Sequence, residues 1–308
     1  MIIKQALIFG TEKFKKNKIN SALLDAEILL SCALGKPKEF IYAHPEYQIS
    51  KTQDAKYKKH LLRRLKGEPT AYILGHKEFY GLNFLVNNNV LIPRPETELL
   101  VEEVLKYIKN SKLKIKNSTL ADIGTGSGCI PIAIAKNLYN VECIKYYGID
   151  NSIKALVVAR KNAKLHGVVK KIKFTKSDLL KNISHNTLYF IHNTCLVLTA
   201  NLPYLPAKIY RQNYQHLKYE PKNSLLAGQD GLKYYRQLFK QLQPMVNCQW
   251  SIVSCFLEID PSQTIALKKL IKKYLPAANI TVKKDLAGLN RLAIVKLSQK
   301  HKSHSNSF

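Results

Sequence analysis

The chain has 308 residues, a length that suits two domains better than one. Hydrophobic residues at 46% and charged residues at 23%, with 13 glycines and 12 prolines, exclude a wholly disordered, linker-like or collagen-like chain. Lys plus Arg is 49 against 21 for Asp plus Glu, a net charge of +28 that attracts nucleic acid, ribosomes or acidic surfaces, although the lysines are spread along the chain rather than gathered in one block.

Residues 1 to about 75 read as helical. Ala22, Leu23, Ala26, Ile28, Leu29, Leu30 and Ala33 form an apolar face with a helical period, and Gly35 and Pro37 supply the stop. A second helix is predicted from Thr52 to Lys66, with Leu61, Leu62 and Leu65 inward. Phe79 to Val86 and Val90 to Ile92 are β-prone runs around Asn87-Asn88-Asn89, which predicts a hairpin turning at the asparagines. Pro93 and Pro95 end it, and a helix with acidic residues in its first turn begins at ETELLVEEVLKYI.

After about residue 118 strands and helices alternate. Leu120–Ile123, Tyr146–Ile149, Ile172–Thr175, Leu196–Ala200 and Ile252–Ile259 read as strands. Ile130–Leu138, Ile153–His166, Leu232–Leu242 and Ser262–Tyr274 read as helices. Such alternation predicts an α/β fold whose mostly parallel sheet is covered on both faces.

Two motifs carry chemistry. Asp122-Ile-Gly-Thr-Gly-Ser-Gly128 lies where a strand gives way to a helix, the place where parallel sheets bind nucleotides. A dinucleotide fingerprint started at Gly124 needs Gly or Ala at position 129, which is Cys129, and no Lys-Ser or Lys-Thr follows to make a phosphate loop. The D-x-G-x-G-x-G pattern instead resembles motif I of class I S-adenosylmethionine-dependent methyltransferases. Asp150 closes the second strand, where a carboxylate can accept both ribose hydroxyls, and Asp178 follows the third.

The second motif is Asn201-Leu202-Pro203-Tyr204, directly after the strand LVLTA. It resembles the (N/D)PPY motif of amino-methyltransferases. An amide nitrogen has its lone pair delocalised, so two acceptors gripping its hydrogens would orient it and raise its electron density. The Asn201 side-chain oxygen and the Leu202 carbonyl can be those acceptors, with Tyr204 packed on the planar group. Pro203 biases Leu202 towards an extended backbone.

Four further stretches complete a specific resemblance: YILGHKEFYGLNFLVNNNVLIPRPETELLVE at 72–102, YEP at 219–221, AGQDGLKYYRQL at 227–238 and KDLAGLNR at 284–291. Together with the two motifs they resemble the HemK/PrmC family of glutamine methyltransferases acting on peptide chain release factors. The resemblance implies a helical substrate-recognition domain over 1–75, a β-hairpin linker over 76–93, a seven-strand, Rossmann-like methyltransferase domain over 94–297 and a polar tail over 298–308. It implies methyl transfer from S-adenosylmethionine to the side-chain amide of a Gly-Gly-Gln glutamine. Gly124, Thr125, Gly126, Ser127 and Gly128 would then cradle the methionine end, Asp150 the ribose, and Asp178 with Leu179 the adenine. Asn201 to Tyr204 would clamp the amide, with Arg94 and Glu98 supporting the cofactor pocket. The family's first proline is Leu202 here, which keeps the carbonyl but loosens the backbone, and KNISHNTLYFIHNTC reads as an insertion. The alternatives are a ribosomal-protein glutamine methyltransferase, an adenine methyltransferase acting on RNA or DNA, and a non-catalytic RNA-binding module.

Cys32, Cys129, Cys143, Cys195, Cys248 and Cys255 form no C-x-x-C pair, so no metal is expected and free thiols in a reducing cytosol are. The N-terminus shows no signal-peptide core, and no apolar run reaches the roughly 18 residues of a membrane span. A cytoplasmic monomer is the expectation.

Overall fold

A computed structural model describes residues 1–110, 118–138, 144–181, 195–248 and 252–298. The expected insertion loop and polar tail lie almost wholly outside these residues. The chain divides into two compact units, Met1–Lys77 with Val86–Asn88, and Glu78–Leu85 with Asn89–Phe308.

The first unit holds helices α1 (Ile3–Lys16), α2 (Ala22–Leu34), α3 (Lys38–Ala43), α4 (Lys51–Leu65) and α5 (Thr70–Leu74). Phe14, Leu29, Leu30, Tyr57 and Leu61 are the centre of its core. A capping box starts α4: Ser50 Oγ accepts from the Gln53 amide, and the Ser50 amide donates to Gln53 Oε1. The expected inward positions of Leu23 and Leu62 are corrected, for these side chains are 49% and 56% exposed. Helix α2 is apolar nearly all round, so its sequence does not choose a face. Its charged residues do: buried Asp25 accepts from Arg64 Nε at 2.7 Å, Ser21 Oγ at 2.8 Å and Thr70 Oγ1 at 3.2 Å, and this rotates Leu23 outward.

The hairpin is also displaced from its expected place. Strands β1 (His76–Phe79) and β2 (Leu82–Leu85) turn at Tyr80 and Gly81, with φ of 52° and 70°. This is the type I′ form of the two-residue hairpin turn, which needs positive φ at both positions, and glycine supplies it cheaply at one of them. Glu98 Oε1 accepts from the Tyr80 amide at 2.8 Å and holds the turn. The asparagine run follows β2 as a separate turn, and Val90 to Ile92 form no strand.

Helix α6 (Glu98–Asn110) follows a single 3-10 turn at Pro95–Thr97. Strands β3 (Ser118–Ile123), β4 (Ile144–Asp150), β5 (Ile172–Lys176), β6 (Cys195–Ala200), β7 (Ile252–Glu258), β8 (Asn279–Lys284) and β9 (Asn290–Ser298) then form one sheet. Its order is β5-β4-β3-β6-β7-β9-β8, parallel from β5 to β7, with β9 antiparallel to both of its neighbours. The sheet has the seven strands that the family resemblance implies, although the apolar pattern marks only the first five; KDLAGLNR spans the turn between the last two. Helices α7 (Cys129–Asn137), α8 (Ile153–Leu165), short α9 (Ala207–Gln212) and α10 (Tyr214–Leu217), α11 (Lys233–Cys248) and α12 (Thr264–Tyr274) connect the strands.

Alternation along the strands splits the core between two faces. Leu196, Leu198 and Ala200 meet Leu238, Phe239 and Leu242 of α11 and Leu267 and Ile271 of α12. Val197 and Phe256 point the other way, to Val101, Val104 and Leu105 of α6 and to Ile132 of α7. Burial on both faces is why these strands read as continuous apolar runs.

Candidate active site

Strand β3 has β4 on one side and β6 on the other, so the strand order reverses at its end. At that point the carboxyl ends of neighbouring strands open a crevice. The glycine loop folds over it, tied down by the Gly124 and Thr125 amides, which donate to Ile149 O at 2.8 and 2.9 Å. Gly124 has a φ of 74°, and a Cβ there would sit 3.0 Å from Leu202 Cδ2. It therefore supplies both the left-handed turn and the room for the buried Leu202 side chain. Asn162, fully buried on α8, donates to Ser127 O at 2.9 Å and to Leu85 O at 3.0 Å and so clamps the loop to β2. Behind the loop, Asp122 is fully buried and accepts from Thr199 Oγ1 at 2.7 Å; burial pushes its carboxyl up to about 7.

Asp150 ends β4 facing the same cleft. Its Oδ2 accepts from the Gly126 amide at 2.9 Å and its Oδ1 from the Ser152 amide at 2.8 Å. Burial raises this carboxyl, and those amide bonds pull it back towards the charged form. Asp178 and Leu179 line the cleft after β5.

Asn201 leaves β6 with its Nδ2 donating to Thr97 Oγ1 at 3.0 Å, and Thr97 Oγ1 donates to Glu258 Oε2 at 2.6 Å. Glu258 is 2% exposed, and burial pushes its carboxyl up to about 7 against the Thr97 bond and the Arg291 charge. The Tyr235 hydroxyl donates to the Glu258 main-chain oxygen. The loop after Asn201 is held from below: Gln263 Nε2 donates to Tyr204 O at 2.8 Å and to Asp230 O at 3.2 Å. Gly231 makes this approach possible, because a Cβ there would lie 2.1 Å from Gln263 Nε2 and 2.2 Å from Tyr204 O.

The resulting cleft is about 1110 Å³, counting its mouth open to solvent. Gly124, Thr125, Gly126, Ser127, Asp150, Asp178, Leu179, Asn201, Leu202 and Pro203 all line it, as does Arg94. Three expected residues do not. Gly128 caps α7 behind the loop and packs near Ile132 and Ala159. Glu98 serves the hairpin turn instead. Tyr204 lies beside the cleft, its phenol pushed up to about 12 by burial. Arg94 pairs with the buried Glu220 of YEP at 2.5 Å, while the Ile92 amide donates to the same carboxylate at 3.4 Å. Thr97, Glu258 and Gln263 were missed by sequence reasoning. Thr97 stood inside LIPRPETE and Glu258 at a strand end in a basic chain, two signals that pointed to them; Gln263 offered none.

The residues present fit an S-adenosyl group: an open glycine cradle at one end, an oriented carboxylate in the middle and an apolar Leu179 beyond. Among the described residues no cluster of three or more His, Cys, Asp or Glu could hold a metal ion, and no helix is long and apolar enough to cross a membrane.

Comparison with known proteins gives the same picture. Residues 5–75 match the PrmC N-terminal domain and residues 114–253 match a methyltransferase domain. The release factor glutamine methyltransferase of Coxiella burnetii is 38% identical over 277 residues, covering 89% of this chain and 91% of that protein. The release factor glutamine methyltransferase of Clostridium botulinum is 35% identical over 293 residues, covering 95% and 98%. Among solved structures, the hMettl16 catalytic domain in complex with MAT2A 3′UTR hairpin 6 aligns with a TM-score of 0.54 over 79% of this chain and 82% of that one. At 14% identity this is a likeness of fold alone.

Proposed function

Because the chain belongs to the release factor glutamine methyltransferase family, we propose that it methylates the side-chain amide nitrogen of the Gly-Gly-Gln glutamine in a peptide chain release factor. S-adenosylmethionine is the methyl donor and supplies, when bound, a sulfonium-activated methyl group.

Gly124 to Ser127 would hold the methionine end, the spare lone pairs of Asp150 the ribose hydroxyls, and Asp178 with Leu179 the adenine. The glutamine amide presents two hydrogens. Asn201 Oδ1 and the Leu202 carbonyl accept them, which fixes the nitrogen in the plane of the clamp and resists delocalisation of its lone pair. Tyr204, half-buried beside the cleft with its carbonyl held by Gln263, anchors the end of the clamp loop. The chemistry needs no general base, since positioning does most of the work and the surplus proton leaves to solvent after transfer. Residues 1–75 would grip the release factor, and the +28 charge supports a reaction close to the ribosome, in the cytoplasm.

The observation that carries this reading is the meeting of Gly126, Asp150, Asp178 and Asn201 in one cleft from four separate strand ends. Its test offers labelled S-adenosylmethionine with an unmodified release factor, ribosomal proteins and rRNA in parallel. Label is expected on the Gly-Gly-Gln glutamine. Label on adenine or on a ribosomal protein, with the release factor untouched, overturns it.

A further inference from the structure

Asn201 has two chemically opposite ends, and the clamp works only with one of them facing substrate. Rotating its amide by half a turn would present two donors to an amide that itself donates. The residues behind it decide which end faces forward.

The partners run in one line. Thr97 Oγ1 lies 3.0 Å from Asn201 Nδ2 on one side and 2.6 Å from Glu258 Oε2 on the other. A hydroxyl has a single proton, and an ionised carboxylate can only accept. With Glu258 charged, the Thr97 proton must point to Glu258, so the Thr97 oxygen offers a lone pair to Asn201. Only the Asn201 NH2 can meet a lone pair, and its Oδ1 is thereby turned to the cleft. Both relay members are buried, Thr97 at 2% and Glu258 at 2% exposed, so water does not compete for the same bonds. Burial pushes the Glu258 carboxyl up to about 7, so the relay is set in this sense as Glu258 ionises; Arg291 of β9 and Arg94 ahead of α6 favour the carboxylate, and Glu96 opposes them.

We propose that Thr97 and Glu258 are positioning residues for methyl transfer, a two-residue relay that fixes the Asn201 amide with its oxygen towards the substrate. The proposal rests on the clamp reading given above. Thr97 comes from the turn ahead of α6 and Glu258 from the end of β7, so the relay binds three chain segments to one task. Thr97 borders the cleft with only 2% of its surface exposed and Glu258 does not line it; both act through Asn201.

The test is a double-mutant cycle in the full-length chain with release factor as substrate. Thr97→Val keeps the shape and removes the hydroxyl; kcat is expected to fall about tenfold, the size of one lost hydrogen bond, with KM for S-adenosylmethionine unchanged. Thr97→Ser restores the hydroxyl and with it most of kcat. In an Asn201→Ala background, Thr97→Val should add no more than about twofold, because the amide it orients is gone. Thermal melts of each variant separate misfolding from mispositioning, and the Ser variant carries the test if the Val variant does not fold.

The relay is overturned if Thr97→Val stays within about twofold of wild-type kcat, if Thr97→Ser is no better than Thr97→Val, or if the Thr97→Val loss persists undiminished without Asn201. The first of these, alongside a large Asn201→Ala loss, removes the relay and leaves the clamp standing. Wild-type kcat in Asn201→Ala removes the clamp and the relay together.

Discussion

Asn201 and Asp150 have different jobs in one cleft, so truncating each should break a different step. Asn201→Ala removes an amide acceptor and leaves the glycine loop intact. Methyl transfer should fall roughly ten- to hundred-fold, the effect of one hydrogen bond to a buried group, while cofactor affinity by calorimetry stays close to wild type. Asp150→Ala should do the reverse and weaken cofactor binding by at least about tenfold, since it removes both the ribose acceptor and the partner of the Gly126 amide. Tight binding in that variant would refute the ribose role. At this scale the sequence was informative about residue type and silent about partnership. Asp150 and Asn201 were legible because strand ends flanked them. Thr97 and Glu258 were not seen as a pair, because 161 positions separate them and only the fold brings them to 2.6 Å.

Elements were legible where burial is two-sided and ambiguous where it is not. The central strands β6 and β7 announce themselves as apolar runs because helices cover both faces, whereas edge strand β5 is only partly buried. Strand β8 is an edge strand with a mostly exposed, lysine-rich face, so NITVKK carries little strand signal. Its partner β9 begins inside KDLAGLNR, so the motif overlaps both the turn and the strand's start. The hairpin was misplaced because three consecutive asparagines look like a turn, whereas the positive φ needed at two adjacent positions is met at Tyr80 and Gly81. Elements also transmit to the site. Gly231, in the segment leading into α11, lets Gln263 reach the loop that carries Asn201. Gly231→Ala should push a methyl group into Tyr204 O and Gln263, lower the melting temperature, and cut methyl transfer more than it weakens cofactor binding. A fully active, equally stable Gly231→Ala enzyme would show that the loop does not depend on this support.

Across the whole molecule, a chain carrying +28 buries two carboxyls, Asp122 and Glu258, that ionise only near neutrality. The positive field does not explain this: acids in such a field should ionise early, and desolvation outweighs it at both places. The consequence for stability has a definite sign. Unfolded, Glu258 releases its proton near 4.5; folded, it holds it to about 7. Between these values the native state binds the extra proton, so stability falls as pH rises through the window and levels off above about 7. The contribution is fully present below about 4.5 and is lost once the carboxyl ionises inside the fold. Glu258→Gln has no proton to lose there. Its stability relative to wild type should therefore rise between pH about 5 and about 8, by on the order of 3 kcal/mol, as read from denaturant unfolding at the two values. The comparison cancels the general effect of net charge, which both proteins share. A difference independent of pH would mean that Glu258 is ionised at pH about 5 as readily as in the unfolded chain, and burial at the end of β7 would then not set its charge state. The upward slope instead ties stability to function through one residue: the ionised form that destabilises the fold is the form that lets Thr97 turn the Asn201 oxygen towards substrate.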